Sequence, residues 1–350
     1  MEIMPSERQR DRERDIDIAK GIGIILVVWA HALGPYTEYI EYFHMPFFFF
    51  ISGMLYRERE ESVKAYALHK AKGLLIPFWF WNLLLYPVFF VLYYWKQWSI
   101  STAAAEICEI LLTVNKVPFL GATWFLPALF WVSCFSHLII TTFKRNKNKD
   151  LILLLVFAGA CAFGLNVTLP YRISRTLICS LFYASGFVYK KHIRNRISSC
   201  VKNCIAPFLL IGFVLIASNT KAYLGGNEFS NKPVFVLGAY LAILFSLWLS
   251  KIIADLSFVE NARFSVLTYL GRNSIDIVIW QFLAFRFAII PQMIINDIGL
   301  NALTAFPVYD ASGCWWFAYL VAGILGSLAW KYVLNHNVLT SKLRRIYVIR

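Results

Sequence analysis

Ten stretches of this chain are apolar enough to be read as membrane helices. They fall at roughly 18–35, 42–56, 74–95, 120–143, 151–169, 176–189, 204–218, 233–250, 273–290 and 313–334. A bilayer-spanning helix needs about 20 apolar residues. The second and sixth stretches are short for that, so they must be extended, tilted or partly buried in protein. The segment 264–270 is expected at the membrane interface. The apolar runs are continuous and do not alternate residue by residue, which excludes a transmembrane β-barrel. The expected architecture is an all-α polytopic integral membrane protein with about ten transmembrane helices.

Composition agrees. The chain is 59% hydrophobic and only 15% charged, against roughly 25% charged in soluble domains. Too few charges remain to coat a water-soluble enzyme. Disorder is excluded by 30 Phe, 12 Trp and 18 Tyr, the reverse of a disordered composition.

The net charge of +14 would suggest nucleic acid in a soluble protein. Here its distribution assigns it to membrane topology instead, and no nucleic-acid partner is expected. Lys and Arg concentrate in alternate segments: the N-terminal stretch, 57–72, 144–149, 190–202, 251–272 and the tail from Lys331 hold 27 of the 34. The intervening segments hold Lys96, Lys116, Arg172, Arg175, Lys221 and Lys232, and Arg286 lies inside the ninth stretch. Since positive loops stay in the cytoplasm, both termini are expected there, with an even number of crossings. The domain plan is a charged cytoplasmic segment 1–17 without a cleavable signal pattern, one transmembrane domain 18–334, and a basic cytoplasmic tail 335–350. The seven cysteines include no CxxC pair; they read as small apolar fillers, and no metal site is expected.

Ionisable groups inside a span are costly and point to function. His31 lies in the first stretch and Lys20 at its cytoplasmic end. Eleven residues at 100° each bring them within about 20° of one helix face, roughly 16 Å apart along the axis. His31 suits either an interhelical hydrogen bond or a reacting base. Lys20 suits either a snorkelling anchor or the mouth of a groove leading to His31, and Asp17 can pair with it. His44 stands near the level of His31, at the head of a Pro46-containing span, as an interface or a site residue. His69, Lys70 and Lys72 precede the third span as a positive-inside anchor or as point charges for phosphate. The ninth span is the most polar. Its Arg272 and Asp276 suit an i, i+4 pair, while Asn273, Asp276 and Gln281 suit the lining of a cavity, and Arg286 needs a partner or water. Trp124 suits an aromatic belt or a pocket wall. Walker A, GxSxG, HExxH and dinucleotide glycine motifs are absent from the sequence.

Taken together these segments resemble acyltransferase family 3. Lys20-x10-His31 resembles its R/K-x10-H signature. Phe43-His44-Met45-Pro46 through Ser52-Gly53 is similar to its FHMPxFFxxSG segment, and Leu74-Leu75-Ile76-Pro77 to its RRLLxP start. Trp124-Phe125-Leu126 and Leu270-Gly271-Arg272-Asn273-Ser274 also fit, in the right order along nearly the whole chain. The resemblance implies a multi-pass enzyme of the cytoplasmic (inner) membrane with no bound cofactor. Such an enzyme moves an acyl group, commonly acetyl, from acyl-CoA to a hydroxyl of a surface polysaccharide or a lipid-linked glycan. It places the essential pair on His31 and Lys20 and the donor contacts on Lys70 and Lys72. His44, Trp124, Asn273, Asp276 and Gln281 are then candidates for substrate contact. The chain departs from the pattern in having Lys20 where many members have arginine, Gly73 where a second basic residue is common, and Gln281 where many have histidine. The competing expectation is a secondary transporter or flippase for a lipid-linked sugar, which also needs polar groups at the midplane.

Overall fold

The computed structural model describes residues 7–93, 99–170, 172–197, 199–256 and 266–336, with side chains from Arg14 onward except that of Ser199. The expected basic tail 335–350 lies outside these residues except for its first two positions. Each of the ten apolar stretches is helical over most of its described residues, and the helices share one hydrophobic core.

The first helix, α1 (Glu7–His31), packs against α3 (His44–Leu55), α10 (Lys232–Leu256), α11 (Val266–Arg272) and α12 (Ser274–Ala284). A short turn of helix, α2 (Thr37–Glu41), joins α1 to α3. Pro46 sits in the first turn of α3, where a missing N–H has no partner to lose. At 12 residues, α3 is about 18 Å long, well short of a bilayer's hydrocarbon core. Nine of its residues are buried, so protein rather than lipid surrounds it. This is one of the resolutions the short second stretch required.

Backbone contact explains how so short a helix is held. A Cβ on Gly53 would lie 1.9 Å from the Tyr183 carbonyl oxygen, and one on Gly186 the same distance from that of Phe50. Thus α3 and α8 (Ile173–Val188) touch through glycines, as small residues permit between membrane helices. Gly21 of α1 and Gly271 of α11 make an equivalent pair, with carbonyl oxygens 2.0 Å and 1.8 Å from their added Cβ positions.

Among the described residues, seven helical segments are long and apolar enough to cross a membrane: Val63–Tyr93, Pro118–Thr142, Lys149–Asn166, Cys200–Asn219, Lys232–Leu256, Ser274–Ile295 and Trp315–His336. They contain α4 (Val63–Tyr93), α6 (Phe125–Thr142), α7 (Lys149–Asn166), α9 (Ser199–Asn219) and α10. Ser274–Ile295 joins α12 to α13 (Arg286–Ile295), and Trp315–His336 joins α14 (Trp315–Val321) to α15 (Ser327–His336). The stretches in α3 and α8 are shorter, at 12 and 16 residues, while α1 carries Arg14, Asp15, Asp17 and Lys20.

The third stretch departs from expectation. Its helix begins at Val63 rather than near residue 74. Ser62 caps it, its hydroxyl accepting from the Ala65 N–H, a normal N-cap arrangement. Most of the basic segment 57–72 is therefore the first three turns of α4 and not a loop. The stretch 96–119, expected only as a loop, contains the amphipathic α5 (Ile100–Leu111) and the start of a 3₁₀ turn, Pro118–Trp124. A two-stranded hairpin, β1 (Ala222–Tyr223) and β2 (Glu228–Phe229), closes the link between α9 and α10.

Ion pairs knit the end of the bundle where the basic segments gather. The Arg194 guanidinium meets both Asp15 oxygens at 2.6 and 2.7 Å. Glu58 pairs with Lys149 and Lys191, and Lys191 also reaches Asp150.

Candidate catalytic centre

Lys20 and His31 come from one helix, as the spacing requires. Lys20 is not a free cation: its ammonium pairs with Asp17 at 2.7 Å. The second oxygen of Asp17 accepts from Arg272 Nε at 2.9 Å, so the foot of α1 is tied to α11. Between Lys20 and His31 the shared face carries Ile24 and Val27, at 0% and 2% exposure. The face is filled by packed side chains, not an open groove.

His31 points into protein. Its Nδ1 lies 3.0 Å from Gln281 Oε1 on α12. An amide oxygen only accepts, so the ring donates there. The Gln281 NH₂ in turn donates to the Val278 carbonyl at 3.3 Å, which orients the amide. In the neutral ring the lone pair is therefore on Nε2, which makes no hydrogen bond among the described residues. The ring also packs on Phe282 at 4.7 Å.

His44 meets the His31 ring edge-on, with centroids 6.2 Å apart. Its Nδ1 donates to the Ile40 carbonyl at 3.0 Å, and it is 7% exposed. The pair thus presents two imidazoles whose Nδ1 positions are each committed to an oxygen. Such an arrangement can accept a proton from a hydroxyl at Nε2.

The polar end of the ninth stretch is organised differently from expectation. Asp276 does not pair with Arg272, which is drawn to Asp17. Lys331 of α15 instead donates to both Asn273 Oδ1 and Asp276 Oδ2, each at 2.6 Å. Asn273 and Asp276 therefore anchor α15, while Gln281, one to two turns further along, serves His31. The sequence could not announce this, because Arg272 and Lys331 are equally good partners and only helix packing chooses between them. Arg286 finds the Ala305 carbonyl at 2.8 Å and the Phe119 ring at 5.2 Å.

Lys70 and Lys72 are both on α4. Residues two apart on a helix face different ways, and the structure shows it: Lys70 lies over the Tyr66 ring at 5.4 Å, whereas Lys72 is exposed. They do not form one two-lysine cradle. Trp124 ends the 3₁₀ turn and lines an apolar cavity of about 410 Å³ with Pro127, Trp131 and Phe135, under the Arg175 guanidinium at 5.9 Å.

One buried histidine escaped the sequence reading. His137 of α6, wholly buried, accepts from the Tyr56 hydroxyl at Nδ1 (2.9 Å) and donates from Nε2 to the Glu61 carbonyl (3.1 Å). It stacks on Tyr66 at 4.1 Å. A lone histidine in the apolar run Phe135–Ile140 was the available signal. Both of its nitrogens are consumed in pinning α6 to the end of α3, so it is a structural group.

A family model described as an acyltransferase domain matches residues 13–336. The chain belongs to acyltransferase family 3. The match runs from the foot of α1 to the end of α15, so the His31 centre and the α12–α15 anchor both fall within the family domain. The chain is also similar to the nodulation protein NolL of Mesorhizobium japonicum, at 28% identity over 205 residues. That similarity covers 52% of this chain and 49% of NolL, so the chain spans about half the length of this curated relative. No solved structure matches. With its apolar helices, this member of acyltransferase family 3 is a multi-pass membrane protein.

Proposed function

We propose that the protein is a membrane O-acyltransferase. It moves an acyl group, most simply acetyl, from cytosolic acyl-CoA to a hydroxyl of a surface polysaccharide or its lipid-linked precursor. The observation that carries this reading is the state of His31: Nδ1 held by Gln281, Nε2 left with a lone pair, and the ring inside the bundle. His31 Nε2 takes the proton of the acceptor hydroxyl as its oxygen attacks the thioester carbonyl. The C–S bond then breaks, and the departing CoA thiolate receives the proton from His31. General base help of this kind contributes typically about 10²–10⁴-fold.

The donor side is assigned to the cytoplasmic end, with the membrane crossed ten times and both termini cytoplasmic. Lys70 and Lys72 act there as separate point charges on the donor, and Lys20 marks the base of α1. Because Ile24 and Val27 fill the face above Lys20, the pantetheine arm reaches His31 only when α1 and a neighbouring helix part.

The test is transfer of labelled acetyl from acetyl-CoA to glycans in membranes containing the full chain. His31→Ala should insert normally and lose transfer; normal acylation by that variant refutes the assignment.

A further inference from the structure

Extracytoplasmic segments of this chain are poor in cations, yet three of their six, Lys116, Arg172 and Arg175, gather in one place. Lys116 borders a cavity of about 330 Å³ with Tyr86, Tyr93 and Phe306. Arg172 and Arg175 border a second, of about 410 Å³, with Thr168 and Ser174. Asn115 lines both, so the two adjoin. Their sizes are those of small-molecule sites.

None of the three cations forms an ion pair with a carboxylate among the described residues. Lys116 rests over the Phe306 ring at 5.2 Å, and Arg175 over Trp124. Arg172 donates to the Val114 carbonyl at 3.1 Å. The carboxylates in the walls are engaged elsewhere: Glu106 accepts from the Tyr86 hydroxyl and Glu109 from the Asn115 amide. Half-buried, uncompensated like charges are costly. Burial, with the charges of Arg172 and Arg175, lowers Lys116 to about 7. Arg172 is lowered to about 10 by burial and by Arg175. A bound anion removes that cost.

The basin also adjoins the proposed base. Phe306 packs tilted against Phe282 at 4.8 Å, and Phe282 packs on His31. Gly121 allows this approach, since a Cβ there would lie 2.3 Å from Phe306. Aromatic walls with both carboxylates and cations suit a sugar bearing an oxyanion.

We propose that Lys116, Arg172 and Arg175 form the acceptor subsite, binding a glycan that carries a phosphoryl ester or a carboxylate from the extracytoplasmic side. This rests on the acyltransferase reading, because it takes the ligand to be the acceptor for His31.

The experiment uses the full-length protein in phosphatidylcholine nanodiscs, titrated with glucose 1-phosphate, glucuronate and glucose. One or both anionic sugars should bind, more weakly as salt rises, with glucose far weaker at equal concentration. Arg172→Gln/Arg175→Gln should weaken anion binding by about tenfold to a hundredfold. Lys116→Arg should retain it, which shows that the fold at the site tolerates change, and Lys221→Gln, outside the basin, should be without effect. Equal binding of glucose and the anions, or unchanged affinity in the double arginine variant, overturns the proposal. Displacement of the sugars by phosphatidylglycerol in the discs also overturns it, assigning the cations to a lipid headgroup. His31→Ala should bind glucose 1-phosphate as the parent does. If that variant keeps transfer while the arginine variant loses anion binding, the catalytic reading falls and the anion site stands.

Discussion

At the scale of single residues, the histidines inside the bundle divide by what their nitrogens do. His137 spends both on protein partners, whereas His31 spends only Nδ1. A histidine with both nitrogens committed cannot accept a substrate proton without breaking the fold. On the proposed mechanism, Gln281 holds His31 in the tautomer the reaction needs and is a positioning residue. Gln281→Leu leaves a buried N–H unpaired, at about 1–3 kcal/mol. Expressed in the transition state, that is a loss of roughly tenfold to a hundredfold in kcat, with little change in KM for acyl-CoA. Gln281→Glu, which keeps the acceptor oxygen, should recover most of the rate and shift its pH profile; a Leu variant with parental kcat would remove Gln281 from this role.

At the scale of elements, glycine contacts and ion pairs set how helices meet. Gly186→Ala places a methyl group against the Phe50 carbonyl, so α3 and α8 must separate. Overpacking of this kind costs typically about 1–3 kcal/mol. Thermal unfolding in detergent should report a lowered midpoint, whereas Gly159→Ala on α7, where nothing lies within 4 Å, should not. Glu58 ties the segment after α3 to α7 and to the end of α8. Partial burial works to raise its pKa, but hydrogen bonds and charge from Lys149 and Lys191 outweigh it, and the net direction is down from 4.5. A carboxyl held low in the fold stabilises above its unfolded pKa and loses that contribution as pH falls through the folded value. Melting curves between neutral pH and pH 4 should therefore fall less steeply for Glu58→Gln than for the parent. Identical slopes would show that these exposed pairs contribute nothing.

At the scale of the whole molecule, the topology is open to labelling. With ten crossings, and in a background whose seven cysteines are replaced by serine because four of them are exposed, Lys147→Cys should react with an impermeant maleimide only after permeabilisation, and Asn227→Cys in intact cells. Both positions reacting alike would break the alternation from which the orientation was read. On that alternation the cation basin is extracytoplasmic, where cations run against the positive-inside tendency.

The sequence by itself determined the solvent, the helical class and the placement of Lys20 and His31 on one helix. Hydrophobic length and the 3.6-residue period are local properties, legible wherever 20 residues are read together. It also carried the family, because the motifs around His31, His44 and Arg272 are short and contiguous. Only tertiary structure decided which polar groups meet. Gln281 reaches His31 across 250 positions, and Arg272 reaches Asp17 across 255. Lys331 claims the Asp276 that a helix-local rule had offered to Arg272. Pairings of this kind depend on how whole helices pack, and a charge in a string of letters does not record which neighbour will be brought beside it.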